Sequence, residues 1–135
     1  MPDEIIEPEP DGKKSPNVDF YLPDICIRDF PLSTKRSFLV LIEQVLKSRS
    51  QGIEFEINSD GKSHIAIINQ GRSLPILTIS SGIFERYWDF LQTALKSPLG
   101  LKVASGDDIY DVIGEPMEML SGRKITLRLI IDRGQ

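Results

Sequence analysis

Apolar residues recur along this chain in two rhythms, and the switches between them divide it into elements. Phe38, Leu41, Ile42, Val45 and Leu46 fall at i, i+3, i+4, i+7 and i+8, the stripe of a helix that buries one face. Lys35, Arg36, Glu43 and Lys47 lie largely off that stripe, Ser33 offers an N-cap oxygen, and the serines and glycine of 48–52 favour termination. The spacing predicts a helix over 34–47. The rhythm then changes to two: Ile53, Phe55 and Ile57 alternate with Glu54 and Glu56, and Ile65 and Ile67 resume the alternation after Asn58-Ser59-Asp60-Gly61. Asn69-Gln70-Gly71-Arg72 turns the chain again into 74–79, which predicts a three-stranded antiparallel meander. Ser80-Ser81-Gly82 supplies capping oxygens for a second helix over 83–96, with Phe84, Tyr87, Trp88, Leu91 and Leu95 on one face and Pro98 at its exit.

Beyond it, residues 99–122 mix Gly100, Gly106, Gly114 and Gly122 with Asp107, Asp108 and Asp111, and read as irregular apart from a short apolar piece at Ile109, Tyr110, Val112 and Ile113. Ile125, Leu127, Leu129 and Ile131 alternate with Thr126, Arg128 and Ile130. A last strand over 124–131, nearly apolar on both faces, is expected inside the sheet with a neighbour on each side. Upstream of the first helix, Phe20, Leu22, Ile25, Ile27 and Phe30 are interrupted by Pro23 and suggest one short extended piece on a sheet edge. Residues 1–18 carry Pro2, Pro8, Pro10 and Pro16 among acids, too little apolar surface to offset the ordering entropy. They read as a flexible acidic tail, or alternatively as a docking peptide anchored by Ile5 and Ile6, ahead of a single domain over 19–135. The expected fold is α+β: two layers, a mainly antiparallel sheet with two main helices on one face, in the order α-β-β-β-α-β.

Composition narrows the function classes. A chain of 135 residues with 40% hydrophobic and 27% charged residues has the balance of an ordinary globular domain. No apolar run approaches the roughly 18 residues that span a bilayer, and Asp3, Glu4, Glu7 and Glu9 give the N-terminus the wrong sign for a signal peptide. A cytoplasmic protein without a membrane span is expected. A net charge of −4 and a pI near 5.0 repel a phosphate backbone unless the cations gather on one side.

The reactive side chains are few. Cys26 lies between Ile25 and Ile27, where a thiol usually packs as a small apolar group, and one histidine, His64, makes no zinc site without further good ligands. Glu54 and Glu56 share a strand face, but acid/base work on a glycoside needs two carboxylates across a cleft with one in a dry environment, so a solvated strand face is expected. Asp107, Asp108 and Asp111 lack the register of a calcium loop, and residues 100–106 lack the Lys-Ser/Thr ending of a phosphate loop. The spacing of Phe84, Tyr87, Trp88 and Phe90 favours core packing over a ligand cage or base-stacking platform. No catalytic, cofactor-binding or metal site is expected. An enzyme would have to bring together two or more of Glu54, Glu56, Asp107, Asp108, Asp111, His64 and Cys26.

From Phe38 onward the element order and some local strings resemble the N-terminal half-domain of the secretion and type IV pilus assembly ATPases. The hydrophobic helix of 38–47, the strand Gly52-Ile53-Glu54-Phe55-Glu56 and the closing Leu127-Arg128-Leu129-Ile130 carry the likeness. The family's strand histidine is replaced here by Phe55 or Glu54, its arginine-rich second strand is Ile65-Ala66-Ile67-Ile68-Asn69, and no Gly-x-x-x-x-Gly-Lys-Ser/Thr string follows. The resemblance implies a stand-alone, non-catalytic relative that modulates or scaffolds an assembly where the half-domain normally docks.

The expected function is therefore a non-catalytic protein-interaction or adaptor module that meets its partner through a sheet edge or a helix face. One alternative is a small acidic dimeric secretion chaperone, which uses a similar element order. Another is a single-stranded nucleic-acid module that gathers Arg28, Lys35, Arg36, Lys47, Arg49, Lys62 and Arg72, with Ile25-Cys26-Ile27-Arg28-Asp29-Phe30 as a binding strand. For a protein partner on the helical layer, Arg86 and Phe90 are the first contact residues, followed by Tyr110. On this reading Phe90 lies off the main stripe with its ring exposed, and Phe90→Ala weakens partner capture while leaving the thermal midpoint of the domain unchanged.

Overall fold

In the computed structural model, residues 17–21, 28–98 and 100–132 are described. Their elements run β1 (Val18–Phe20), α1 (Leu32–Lys47), β2 (Gly52–Asn58), β3 (Ser63–Asn69), β4 (Arg72–Ile79), α2 (Ser81–Leu95), β5 (Leu101–Ser105), β6 (Asp108–Met119) and β7 (Gly122–Asp132). The fold is α+β, with seven strands in one sheet ordered β1-β5-β6-β7-β2-β3-β4 and every neighbouring pair antiparallel. The expected order α-β-β-β-α-β is contained in this one, with β1 added before it and β5 and β6 added ahead of the last strand.

The meander forms as its turn residues require. Gly61 sits at φ +89, Asn58 N–H donates to the Lys62 carbonyl at 2.8 Å, and Gly61 N–H donates to the Asn58 carbonyl at 2.9 Å. Gln70 and Gly71 have φ 55 and 78, the two left-handed residues of a type I′ hairpin, whose twist matches that of its strands. Ser80 caps α2, its Oγ accepting from Ile83 N–H at 3.1 Å. Ser33 does not cap α1. That helix starts at Leu32 with Pro31 at the N-cap and no side-chain cap, the Pro31 carbonyl accepting from the Thr34 and Lys35 N–H groups. Proline's locked φ, here −58, sets the entry angle without a capping side chain.

Ile53, Phe55 and Ile57 of β2 share one core with Ile65 of β3, Ile125 and Leu127 of β7, Val112 of β6, Val103 of β5 and Val18 of β1. α1 adds Phe38, Leu41, Ile42 and Val45 to it, and α2 adds Phe84, Tyr87, Leu91 and Ala94. Val18 is thus a core residue, one position ahead of the expected domain start. Of the expected extended piece, Phe20 lies in the edge strand β1, while Leu22, Ile25 and Ile27, with Cys26 and residues 1–16 including Ile5 and Ile6, lie outside the described residues. The helices are joined by a partly buried polar contact, Ser37 Oγ to Tyr87 OH at 2.6 Å. Burial pushes the Tyr87 phenol up to about 12, and the bond to Ser37 works the other way.

Phe90 corrects the sequence reading. Its ring is fully buried, with ring centroids of Phe38 at 5.4 Å, Phe30 at 5.5 Å and Phe20 at 6.1 Å, all edge-on. A helix packed on a sheet alone buries one stripe; α2 also meets α1 and β1, so its buried face widens to take in Phe90.

Residues 99–122 are the second correction, since most of them form β5 and β6. Two features hid the strands: β6 contains Gly114 and Pro116, and each of its tight turns spans two residues. Both breakers have a place in the fold. A Cβ on Gly114 would stand 2.3 Å from the Thr126 carbonyl oxygen, so the close approach of β7 excludes any side chain there. β5 pairs with β6 only from Asp108 to Val112, while β7 pairs with it to Met119. Past Val112, β6 has no partner on that side among the described strands, and a proline without an N–H is tolerated on such an edge. The last strand does lie between two neighbours, β6 and β2.

Two outcomes test this core. Phe90→Ala should lower unfolding free energy by about 3–5 kcal/mol, read from urea denaturation. In a spectrophotometric phenol titration of the folded protein, Tyr87 should ionise at about 12.

Candidate functional site

β2 has two unlike faces, and the one turned from the core gathers the polar groups. Glu54 and Glu56, two apart on the strand, stand on it together. Across β3 the register sets Ala66 opposite Glu54 and His64 opposite Glu56; across β7 it sets Thr126 and Lys124 opposite the same two residues. Directly opposed residues of antiparallel strands share a face, so Lys124, Glu56 and His64 form one row. His64 Nε2 lies 3.4 Å from Glu56 Oε1, and one ligand atom from each of Glu54, Glu56 and His64 falls within 4.8 Å of the others.

The environment of the two acids differs. Glu56 and His64 are half-buried, whereas Glu54 is only 7% exposed, contrary to the expected solvated strand face. Glu54 lies in the middle of the sheet, flanked by β3 and β7 along its whole length, and burial raises its carboxyl above the ordinary value. Lys124 and His64 draw it back down, while the charge of Glu56 and a hydrogen bond between the two carboxyl groups add to the rise. Sequence reasoning named all three residues but had no means of joining them, because the turn at 58–61 and the strand register together decide that His64 faces Glu56.

Asp107, Asp108 and Asp111, the other acids considered from sequence, do not join this cluster. Asp107 and Asp108 are exposed at the β5–β6 turn, and Asp111 is held by Lys102, whose Nζ also donates to Asp132 Oδ2 at 3.0 Å. These two bonds raise the Lys102 ammonium above its usual range. On the core side, Arg123 binds Glu85 through both guanidinium nitrogens and lies 5.0 Å over the Trp88 ring and 5.3 Å over Phe84.

Of the expected contact residues, Arg86 is exposed on α2, Tyr110 is half-buried and packs on the core, and Phe90 is inside it. The outer side of α2 is polar, carrying Glu85, Arg86 and Asp89. Apart from Leu32 at the start of α1 and Tyr21 just after β1, the exposed large apolar side chains among the described residues are on the sheet: Ile113, Met117 and Met119 on β6, Leu120 at its turn, Ile130 on β7, and Leu74 and Ile76 on β4. The signal that would have found the first group is the period of two through Ile113, Met117 and Met119, masked by Gly114 and Pro116.

The chain matches no protein-family model and no curated protein. No helix among the described residues is long and apolar enough to cross a membrane.

A carboxyl raised in the native state favours folding below its unfolded pKa, and that contribution is lost as pH rises through the native value. Glu54→Gln, which cannot ionise, should therefore gain stability relative to the unsubstituted chain as pH rises above the ordinary carboxyl value of about 4, measured as the difference in urea midpoints in buffer containing a chelator.

Proposed function

We propose that this protein is a non-catalytic protein-interaction module whose partner adds an extended segment along the free edge of β6. One observation carries the reading. β6 is 12 residues long, and from Ile113 to Met119 it is paired on the β7 side alone among the described strands. Such an edge presents a row of backbone donors and acceptors, and natural proteins ordinarily blunt it. Pro116 removes one donor, yet Ile113 at 50% and Met117 at 48% exposure stand beside it as uncharged contacts. Main-chain pairing supplies affinity in such strand addition, and alternate side chains supply specificity.

The reading moves the docking surface from the helical layer, where Arg86 and Phe90 were expected to act, to the sheet. In it the molecule is a two-layer module: α1 and α2 back the sheet, and recognition takes place at its margin. It is compatible with a cytoplasmic stand-alone relative of the secretion and pilus ATPase half-domain that docks within an assembly. It does not draw on a basic surface, and Lys47, Lys102 and Arg123 are each paired with acids. A second copy pairing edge to edge through the same stretch is the dimeric, chaperone-like version of the reading.

The test compares surface variants as bait in cell lysate. Met117→Lys and Ile113→Lys should lose a partner that Leu74→Lys and Arg86→Ala retain, all four keeping the thermal midpoint of the unsubstituted chain. Light scattering on the same proteins separates a dimer from a monomer awaiting another protein. Equal capture by all four variants would remove the β6 edge from consideration.

A further inference from the structure

We propose that Glu54, Glu56 and His64 form a binding site for a borderline divalent transition-metal cation, with Zn2+ as its best-suited occupant. The inference is independent of the edge-recognition reading and concerns the opposite face of β2 from the core.

The donor set comes first. One imidazole nitrogen and two carboxylates make a mixed nitrogen and oxygen site, which suits zinc and its transition-metal neighbours, whereas magnesium and calcium prefer oxygen alone. The spacing agrees. Bonds of about 2.1 Å from a tetrahedral zinc place its ligand atoms about 3.4 Å apart, and His64 Nε2 and Glu56 Oε1 stand 3.4 Å apart. That separation is long for a hydrogen bond between the two groups but fits two ligands on one ion. With all three ligand atoms within 4.8 Å of one another, the third needs only a side-chain adjustment to close the set. Three protein ligands leave one tetrahedral position for water or for a partner's side chain.

The state of Glu54 is a second and separate observation. It is more than nine-tenths buried, yet among the described residues no N–H group donates to its carboxylate, and the carboxylate of Glu56, another acid, stands within 4.8 Å of it. Lys124 acts on it through space without forming an ion pair. Buried carboxylates are normally satisfied by donors, paired cations or metals. Two acids pressed together beside an imidazole offer a cation two oxygens and a nitrogen, a donor set that suits a transition metal better than magnesium or calcium.

His64 is the single histidine of the sequence, so its imidazole C–H resonances report on this site without assignment. The experiment titrates the full chain, stripped with a chelator, with ZnCl2 and separately with MgCl2 at neutral pH, following those resonances by NMR and the heat by calorimetry. Zinc should shift the imidazole signals to saturation at one equivalent and magnesium should leave them in place. Glu56→Gln and Glu54→Gln should each weaken zinc binding at least about tenfold, and Lys124→Met should strengthen it. The calorimetric isotherm should lose its one-equivalent step in His64→Ala. Far-ultraviolet circular dichroism would verify that each variant remains folded, and should Glu54→Gln unfold, Glu56→Gln, on the half-buried side, carries the test. The proposal is overturned if the imidazole signals do not move, if both glutamine variants bind as tightly as the unsubstituted chain, or if His64→Ala keeps the step, which would assign the metal to acids elsewhere.

Discussion

The structure depends on β2 being paired on both sides while its two faces do opposite things. From Gly52 to Ile57 each residue has a partner on β3 and another on β7, so the strand cannot slip by one residue without exchanging Ile53, Phe55 and Ile57 for Glu54 and Glu56. Burying side chains such as the first three contributes about 1.5–3 kcal/mol apiece. Burying the two acids on the core side instead would strand charges in an apolar interior. That difference locks the register, and the register in turn determines that His64 and Lys124 flank Glu56. The polar cluster is thus a by-product of the same alternation that builds the core.

The glycines of the sheet belong to the same constraint. A Cβ on Gly52 would fall 2.0 Å from the Leu127 carbonyl oxygen, and one on Gly122, at φ +140, would fall 2.0 Å from that of Ile57. Both are places where β2 and β7 approach too closely for a side chain, at the two ends of their shared ladder. Glycine in these strands therefore marks intimate pairing, although from sequence it reads as interruption.

That ambiguity explains what could be read in advance. The helix of 34–47, the meander and the central position of the last strand were legible because each is a local period with turn residues at its ends, and local rules suffice for them. β5 and β6 were not legible, because Gly114 and Pro116 break the alternation for reasons that reside in the neighbouring strands: the approach of β7 and the end of β5 at Val112. Phe90 misled for a related reason. Its place on the helix was correct, but the width of the buried face of α2 is decided by the aromatic rings of Phe20, Phe30 and Phe38, which come from distant parts of the chain. At the polar cluster, residue identities were visible and their convergence was not.

β7 is the last described strand along the chain and yet the fourth of seven across the sheet. A ribosome adding roughly 5–20 residues per second therefore releases the whole β2–β4 meander well before the strand that must seal its inner margin. Through that interval the nascent chain holds an unpaired apolar ribbon, and only the arrival of residues 122–132 joins the early and late halves. Folding of the central sheet therefore waits on a strand far from β2 in sequence, a topology that favours slow, non-local closure.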